Sequence, residues 1–343
     1  MAATEAHLAD HPRLTPFGRL LDEWGIAWRD TGTPTGDAAI EFCVGDFTIV
    51  LSWAPVRATF TMDARWRGLI PADEYAAALD FVAGFNARHV APRAVVDADG
   101  SLTEAQERGG LLHLSAQTYL LAGSGISDAQ AAQFLKRSLV VVGDRFRPAC
   151  RRTWSDVDVA AAPFEADPVT AADLRADADA AASTGDLPEG SGVSMELQPQ
   201  PIVLSDVVRY LTDLGMPDVP VVDDAAWIES RGTDVDIYLP GEGTADAGYL
   251  VFMAHAPLPR EWEADLTHVG HVCNERNVRT ALTATTVSNL GGAGHEGWTV
   301  MSTAAVDIAE GLTTAQLTEA MRACPQTVGR SVRWTLERLD ADR

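Results

Sequence analysis

His268, His271 and Cys273 are the residues of this sequence best suited to metal chemistry. On a helix, His268 and His271 share a face, but Cys273 is two positions further on and points elsewhere. A structural zinc ion takes four ligands. No second cluster completes the set, although His255 and His295 could approach in three dimensions, so no metal is expected. Gly292-Ala293-Gly294-His295-Glu296-Gly297 spells the glycine pattern of a dinucleotide-binding turn. That turn needs a strand before it and a helix opening inside it. Here a strand pattern, Trp298 to Thr303, comes after it, so the segment reads as a glycine-rich hairpin and no cofactor is expected. Cys43 or Cys150 with His113 could form a thiol–imidazole pair, but no local signature supports one. The four cysteines include no C-x-x-C pair and read as buried free thiols. Carboxylates are too numerous for any acid–base pair to stand out. No catalytic, cofactor-binding or metal-binding residue is nominated.

Charge narrows the partners. The 343 residues carry a formal net charge of −23, which repels a phosphate backbone and argues against nucleic acid. The densest basic cluster, Arg145, Arg147, Arg151 and Arg152, sits at the end of an expected helix, where cations complement the helix dipole. Lys136 is the sole lysine, a bias expected of a GC-rich bacterial coding sequence. Residues 1–12 read as a flexible leader without the basic and apolar regions of a signal peptide. No apolar run is long enough to span a bilayer. The expected compartment is the cytoplasm, with no membrane partner.

The elements that would position any site come in two similar sets. Thr15-Pro16 reads as a helix N-cap with Phe17, Leu20, Leu21 and Trp24 on one face and Gly25 as the stop. Strand patterns follow at 40–44, 47–53 and 57–62, the first two joined by Gly45-Asp46. Pro71 opens a second helix ending near Asn86. Strands at 90–96 and 111–115 flank a polar connection, 97–110, and a third helix starts at Ser127. Trp53, Phe60, Trp66 and Trp227 lie in or beside strands, where core or sheet-face packing is the default. Phe47, Ile49, Leu51 and Trp53 share one parity; Thr48, Val50 and Ser52 are only partly polar, so this strand could be buried on both faces. From Trp154 to Gln200 ten acidic residues face one arginine, the composition of an acidic linker, with a short helix possible at 170–182. The helix-first order then recurs from Ser205, and Pro325 is expected to kink the last helix. The expected organisation is a leader at 1–12, a first domain at 13–152, a linker at 153–200 and a second domain at 201–343. The fold class is α+β: two α-β-β-β-α-β-β-α units, each a twisted antiparallel sheet with helices on one face.

Specific residues recur. Arg19, Leu21 and Gly25 match Arg209, Leu211 and Gly215 at an offset of 190; Asn86, Arg88 and Val90 match Asn274, Arg276 and Val278 at 188; Gly125, Ser127 and Gln130 match Gly311, Thr313 and Gln316 at 186. A nearly steady offset in the same element order is the mark of a tandem duplication. Ser127/Gln130 and Thr313/Gln316 read as capping boxes. Asn86 and Asn274 read as helix C-caps, the alternative being side chains that anchor the next strand or a ligand. Arg88 and Arg276 would bond terminal carbonyls or extend along the sheet edge.

Two motifs carry a resemblance. The junctions Phe85-Asn86-Ala87-Arg88-His89-Val90 and Cys273-Asn274-Glu275-Arg276-Asn277-Val278, with the helix starts Gly125-Ile126-Ser127-Asp128-Ala129-Gln130 and Gly311-Leu312-Thr313-Thr314-Ala315-Gln316, resemble those of the YbjN family. Pro92-Arg93-Ala94-Val95-Val96 looks like that family's helix-to-strand passage, and 111–135 like its final strand and helix. The resemblance covers roughly 13–150 and 201–340. It implies a fold similar to type III secretion chaperones and a role in regulating sensory transduction, with no agreed catalytic residue. The second copy departs from the pattern at Cys273, where the first has Phe85, and at Pro325. The expected function is a non-enzymatic, chaperone-like interaction module with a protein or peptide partner, its two units pairing as an intramolecular pseudo-dimer. The alternatives are a small-molecule sensor and an unrecognised enzyme.

Overall fold

The computed structural model describes residues 13–32, 38–98, 101–163, 198–289 apart from 217, 223, 231 and 245, and 297–342. Each half of the chain builds one antiparallel sheet with its own apolar core. In the first half, α1 (Thr15–Glu23) buries Phe17 and Leu21 and stops at Gly25, whose φ of +69° suits a residue without a Cβ. Leu14, not Thr15, is the N-cap, and Thr15 is already helical. Then come β1 (Trp28–Asp30), β2 (Ala39–Val44), β3 (Phe47–Ala54), β4 (Thr59–Trp66), β5 (Ile70–Pro71), α2 (Tyr75–Arg88), β6 (Arg93–Ala98), α3 (Leu102–Arg108), β7 (Leu111–Leu121), α4 (Asp128–Val141) and α5 (Arg147–Thr153). The sheet order is β1-β2-β3-β4-β7, with β5 and β6 both paired to β7. Alternation puts Phe60, Met62, Ala64 and Trp66 of β4, and Leu112, Leu114 and Ala116 of β7, into the core that the helices cover.

The second half contains α6 (Leu204–Asp213), β8 (Val221–Val222), β9 (Ala225–Glu229), β10 (Asp234–Tyr238), β11 (Tyr249–Pro257), α7 (Leu266–Arg279), β12 (Ala284–Asn289), β13 (Trp298–Asp307) and α8 (Thr314–Ala341). Its order, β8-β9-β10-β11-β13-β12, repeats strand for strand the order β1-β2-β3-β4-β7-β6.

Several expectations change. The connection at 97–110 contains α3, capped by a Ser101/Glu104 box and closed by Gly109 at φ +63°; seven residues are too few to show an apolar period. Pro325 does not interrupt α8, which runs through it with Leu317, Met321 and Cys324 buried on one side and Val328 and Val332 on the other. Packing of both flanks into the core holds the helix across the missing hydrogen bond. Trp154 lies in the first core, Ala160 N–H donates to Arg67 O, and Gln200 N–H donates to Leu312 O. The span 153–200 therefore begins and ends inside folded structure. The 170–182 helix and the leader 1–12 lie outside the described residues. So does the glycine pattern apart from Gly297; Asn289 pairs with Trp298, so that segment joins neighbouring antiparallel strands. Phe47, Ile49 and Leu51 are buried, while Thr48, Val50 and Ser52 are half-buried. Phe60 and Trp66 are buried, Trp53 packs partly against the core beneath Arg13, and Trp227 is exposed.

The middle offset also changes. α2 and α7 are both 14 residues long, and Tyr75–Arg88 recurs as Leu266–Arg279, then Arg93–Ala98 as Ala284–Asn289, each 191 positions on. The partner of Asn86 is therefore Asn277, not Asn274, and Arg88 matches Arg279. Asn-x-Arg occurs twice in α7, one helical turn apart, and the sequence offered no reason to prefer the second.

The hydrogen bonds explain the pairing. Among the described residues β6 and β12 are bonded only to β7 and β13, so one edge of each is open. Asn86 Nδ2 donates to Ala94 O at 2.9 Å and its Oδ1 accepts from Ala94 N at 2.7 Å. Asn277 Nδ2 donates to Thr285 O at 2.8 Å and its Oδ1 accepts from Thr285 N at 2.6 Å. A primary amide offers the donor and acceptor of a peptide group, so each asparagine stands in for a neighbouring strand. Neither is a C-cap: Asn86 and Asn274 lie inside their helices, and the C-cap residues are His89 and Thr280, both extended. Asn277→Ala should destabilise the fold by about 2–3 kcal/mol, because a buried N–H and C=O lose their partner together. Urea unfolding of the variant against wild type checks this.

Candidate functional site

Polar residues that stand out in the sequence converge on the seam between the halves. At the starts of α4 and α8 both capping boxes form. Ser127 Oγ accepts from Gln130 N at 3.1 Å, and Thr313 Oγ1 from Gln316 N at 3.2 Å. Each glutamine returns its Oε1 to its own cap N–H, at 3.0 and 2.8 Å. The two side chains then meet. Gln130 Nε2 donates to Gln316 Oε1 at 3.0 Å, and Gln316 Nε2 donates to Gln130 Oε1 at 2.9 Å. Their second amide hydrogens go to Gly311 O and Gly125 O, at 3.0 and 2.8 Å. Every donor and acceptor of two buried amides is satisfied, in a pattern that reads the same from either half.

A second group of contacts crosses between the sheets. β12 pairs with β13 only as far as Thr303, which leaves Ala305 N–H free to donate to Tyr119 Oη at 2.9 Å. Burial drives the Tyr119 hydroxyl far above its ordinary pKa. Arg137 bonds Asp307 at 3.0 Å and the carbonyls of Gly248 and Ala247, with its guanidinium 3.7 Å from the Tyr249 ring centre. Burial raises the Asp307 pKa, and Arg137 opposes the shift. Arg93, fully buried, donates to Thr280 O, Thr283 O and Gln117 Oε1, and Gln117 passes the contact on to Asp63. Desolvation lowers the Arg93 pKa to about 10, so it stays charged at neutral pH. A water-sized cavity of about 20 Å³ lies among Arg93, Gln117, Tyr119 and Asp307. Glu319 accepts from the N–H groups of Gly123 and Ser124, both at 3.0 Å.

The third group joins α2, α7 and the open strand edges. Asn274 applies the amide clamp across the seam: its Nδ2 donates to Val96 O at 2.7 Å and its Oδ1 accepts from Val96 N at 3.0 Å. Thr286 Oγ1 answers by donating to Ala83 O at 3.0 Å. Beside them opens a cleft of about 240 Å³ lined by Tyr75, Asp97, Leu102, His271, Asn274, Glu275, Val278 and Arg279. Tyr75 Oη lies 2.7 Å from His271 Nδ1, and burial raises the tyrosine to about 12. Glu275 is paired with Arg279 at 2.6 Å.

The other nominated residues disperse. Arg88 is the exposed last residue of α2, whereas Arg276 donates to Ser331 Oγ at 3.1 Å and lies 5.4 Å from the Trp334 ring centre. His268 stacks on Trp262 with Nε2 3.2 Å from Asp342, His271 meets Tyr75, and Cys273 is buried with its thiol pushed up to about 12. Among the described residues no three ligating side chains gather. Three arginines of the basic cluster are ion-paired: Arg147 and Arg151 share Asp46, and Arg145 crosses the seam to Asp246. Among the described residues no helix is long and apolar enough to cross a membrane. Arg93, Arg137 and Tyr119 carry no site signal in the sequence. Single polar residues in apolar strands or helices have no spacing signature.

No family model matches the chain and no curated protein does. Among solved structures it is similar to YbjN from E. coli, at 17% identity over 42% of this chain and 97% of that one, with a TM-score of 0.30.

A half-buried titratable pair joins β10 and β11 of the second sheet. Asp236, 3.7 Å from His255, holds that imidazole above its ordinary pKa. A raised pKa stabilises the fold fully below the unfolded value, near 6.5, and the contribution fades as pH rises through the folded value. Wild type should therefore exceed Asp236→Asn in stability at about pH 5.5, and the gap should close by about pH 8. Denaturant titrations across that range check it.

Proposed function

We propose that the chain is a non-enzymatic interaction or regulatory module whose two halves act as one body, an internal counterpart of a homodimer produced by tandem duplication. The observation that carries this reading is the reciprocal amide pair of Gln130 and Gln316, built from equivalent residues that hold each other across the seam. The matching strand orders and the 191-residue recurrence support the duplication. The groups that could do chemistry are occupied with structure. The thiols of Cys150, Cys273 and Cys324 are buried and pushed up in pKa, and Arg145, Arg147 and Arg151 of the basic cluster are paired with carboxylates. The motif resemblance to the YbjN family, with its regulatory description, points the same way. A second reading, a small-molecule sensor, has one observation in its favour: the seam cleft beside Tyr75 and His271.

Two experiments test the reading. Gln130→Ala and Gln316→Ala should be strongly non-additive, with a coupling of about 1 kcal/mol or more, since each removes the other's partner. Additive losses in a double-mutant cycle would mean that the seam does not join the halves. Small-angle scattering on the intact chain should give one compact particle, and two beads without fixed contact would overturn the proposal. For the cleft, a thermal-shift screen of nucleotides, amino acids and metals reports a real ligand as stabilisation by mass action. A hit lost in Tyr75→Phe would favour the sensor.

A further inference from the structure

The seam cleft of about 240 Å³ takes its walls from both halves. The first half supplies Tyr75 at the start of α2, Asp97 on β6 and Leu102 at the start of α3. The second supplies His271, Glu275 and Val278, which share one face of α7. Asp97 is the next residue after Val96, whose N–H and C=O are held by Asn274 from the other half. The cleft is thus one residue from a bond that joins the halves.

The formally charged side chains of the lining are Asp97, Glu275 and Arg279. Arg279 bonds Glu275 at 2.6 Å, so those two charges offset each other. Arg338, 3.8 Å from the same carboxylate, is itself paired with Asp342. Among the described residues no cation is paired with Asp97, whose Oδ1 accepts from Ala98 N–H at 2.8 Å. His113 stands opposite Asp97 in the register of β6 and β7. The charge left over in the cleft is therefore a carboxylate. Its field reaches the Tyr75 hydroxyl: burial is the main cause of that group's raised pKa, and Asp97 and Glu275 add to it. With the imidazole proton on Nε2, Tyr75 Oη donates to His271 Nδ1, which leaves the phenol oxygen lone pairs for a ligand donor. Val96, Ala98, Leu102 and Val278 form an apolar wall.

These features select among ligand classes. An anion would meet an unpaired carboxylate and the field of a chain of net charge −23. A metal ion would find no three ligating side chains gathered among the described residues. A neutral ligand would take water from Asp97 without returning an opposite charge, which is costly for a carboxylate. An ammonium group supplies both the charge and the N–H donors, and an apolar body covers the aliphatic wall. The volume is that of about eight waters in the liquid, which limits the ligand to on the order of ten non-hydrogen atoms.

We propose that the seam cleft binds a small primary amine with an apolar body, its ammonium group between Asp97 and the Tyr75 oxygen and its body against Leu102 and Val278. This rests on the sensor reading of the cleft and names the ligand class. Because the walls come from both halves, the bound amine ties them together.

The test uses the full chain and isothermal titration with phenethylamine, phenethyl alcohol and phenylpropionate, which have similar bodies and differ in charge. The amine should bind about tenfold or more tighter than the alcohol, and the acid should not bind. Added salt should weaken the amine. So should Asp97→Asn, which keeps an acceptor for Ala98 N–H, and Val278→Arg at a position 46% exposed, each by about tenfold or more. Glu229→Gln, an exposed carboxylate of β9 outside the cleft, should leave binding unchanged. Amide exchange at Val96 and along 271–278 should slow in the complex. Equal binding of the alcohol or the acid, or binding indifferent to both Asp97→Asn and Val278→Arg, would overturn the proposal. So would tighter binding of Nα-acetyl-lysine amide than of the free amine, the mark of a partner's lysine. If a nucleotide binds the cleft and every amine fails, the ligand class falls and the sensor reading stands. If no compound of any class binds, both fall and the interaction-module reading is untouched.

Discussion

An antiparallel strand with one open edge leaves a row of N–H and C=O groups that cost free energy if buried without partners. That constraint organises the centre of this molecule. β6 and β12 each have such an edge, and the edge is closed by side-chain amides, not by another strand. Asn86 and Asn277 close their own halves' edges at Ala94 and Thr285. Asn274 closes the next position on β6, at Val96, from the opposite half. The first half therefore has its open edge completed by the second. Separating the halves would expose Val96 to water and strip the amide of Asn274 of both its partners.

The same logic recurs wherever the halves meet. Gln130 and Gln316 satisfy each other's amides and each other's loop carbonyls. Tyr119 takes an N–H of β13 that β12 stops short of. Arg93 and Arg137 carry guanidinium donors across to carbonyls of the second half. Such buried polar contacts add little net stability when complete and cost a great deal when broken. Their effect is to specify one docking geometry over others. Two apolar surfaces alone would adhere with less regard for register.

The symmetry is incomplete, and the departures carry information. Asn274 has no amide counterpart, because 191 positions earlier stands Ala83, which answers with its backbone carbonyl to Thr286. α8 runs unbroken to Ala341, whereas α4 passes through a π-helical turn, Val142–Phe146, into α5. The turns after α1 and α6 also differ: Ile26 is buried in the first half, and Leu214 and Met216 are exposed in the second. A seam that fixes the halves together leaves such turns free to diverge.

Much of the fold was legible in the sequence because its signals are local. Helix faces at 3.6-residue spacing, the Gly45-Asp46 turn, the two capping boxes and the glycines after α1 and α6 depend on residues a few positions apart. The element order and its recurrence follow from them. The roles of the recurring polar residues were not legible. Asn-x-Arg occurs twice within α7, and only pairing with an edge strand distinguishes Asn277, which serves its own half, from Asn274, which reaches across. The capping-box glutamines show their local bonds in sequence, but their mutual contact joins positions 186 apart. Local spacing can determine a helix and its cap, because both are closed within one or two turns of chain. Which amide meets which distant carbonyl, and which apolar turn is left uncovered, was decided only when the two sheets came together.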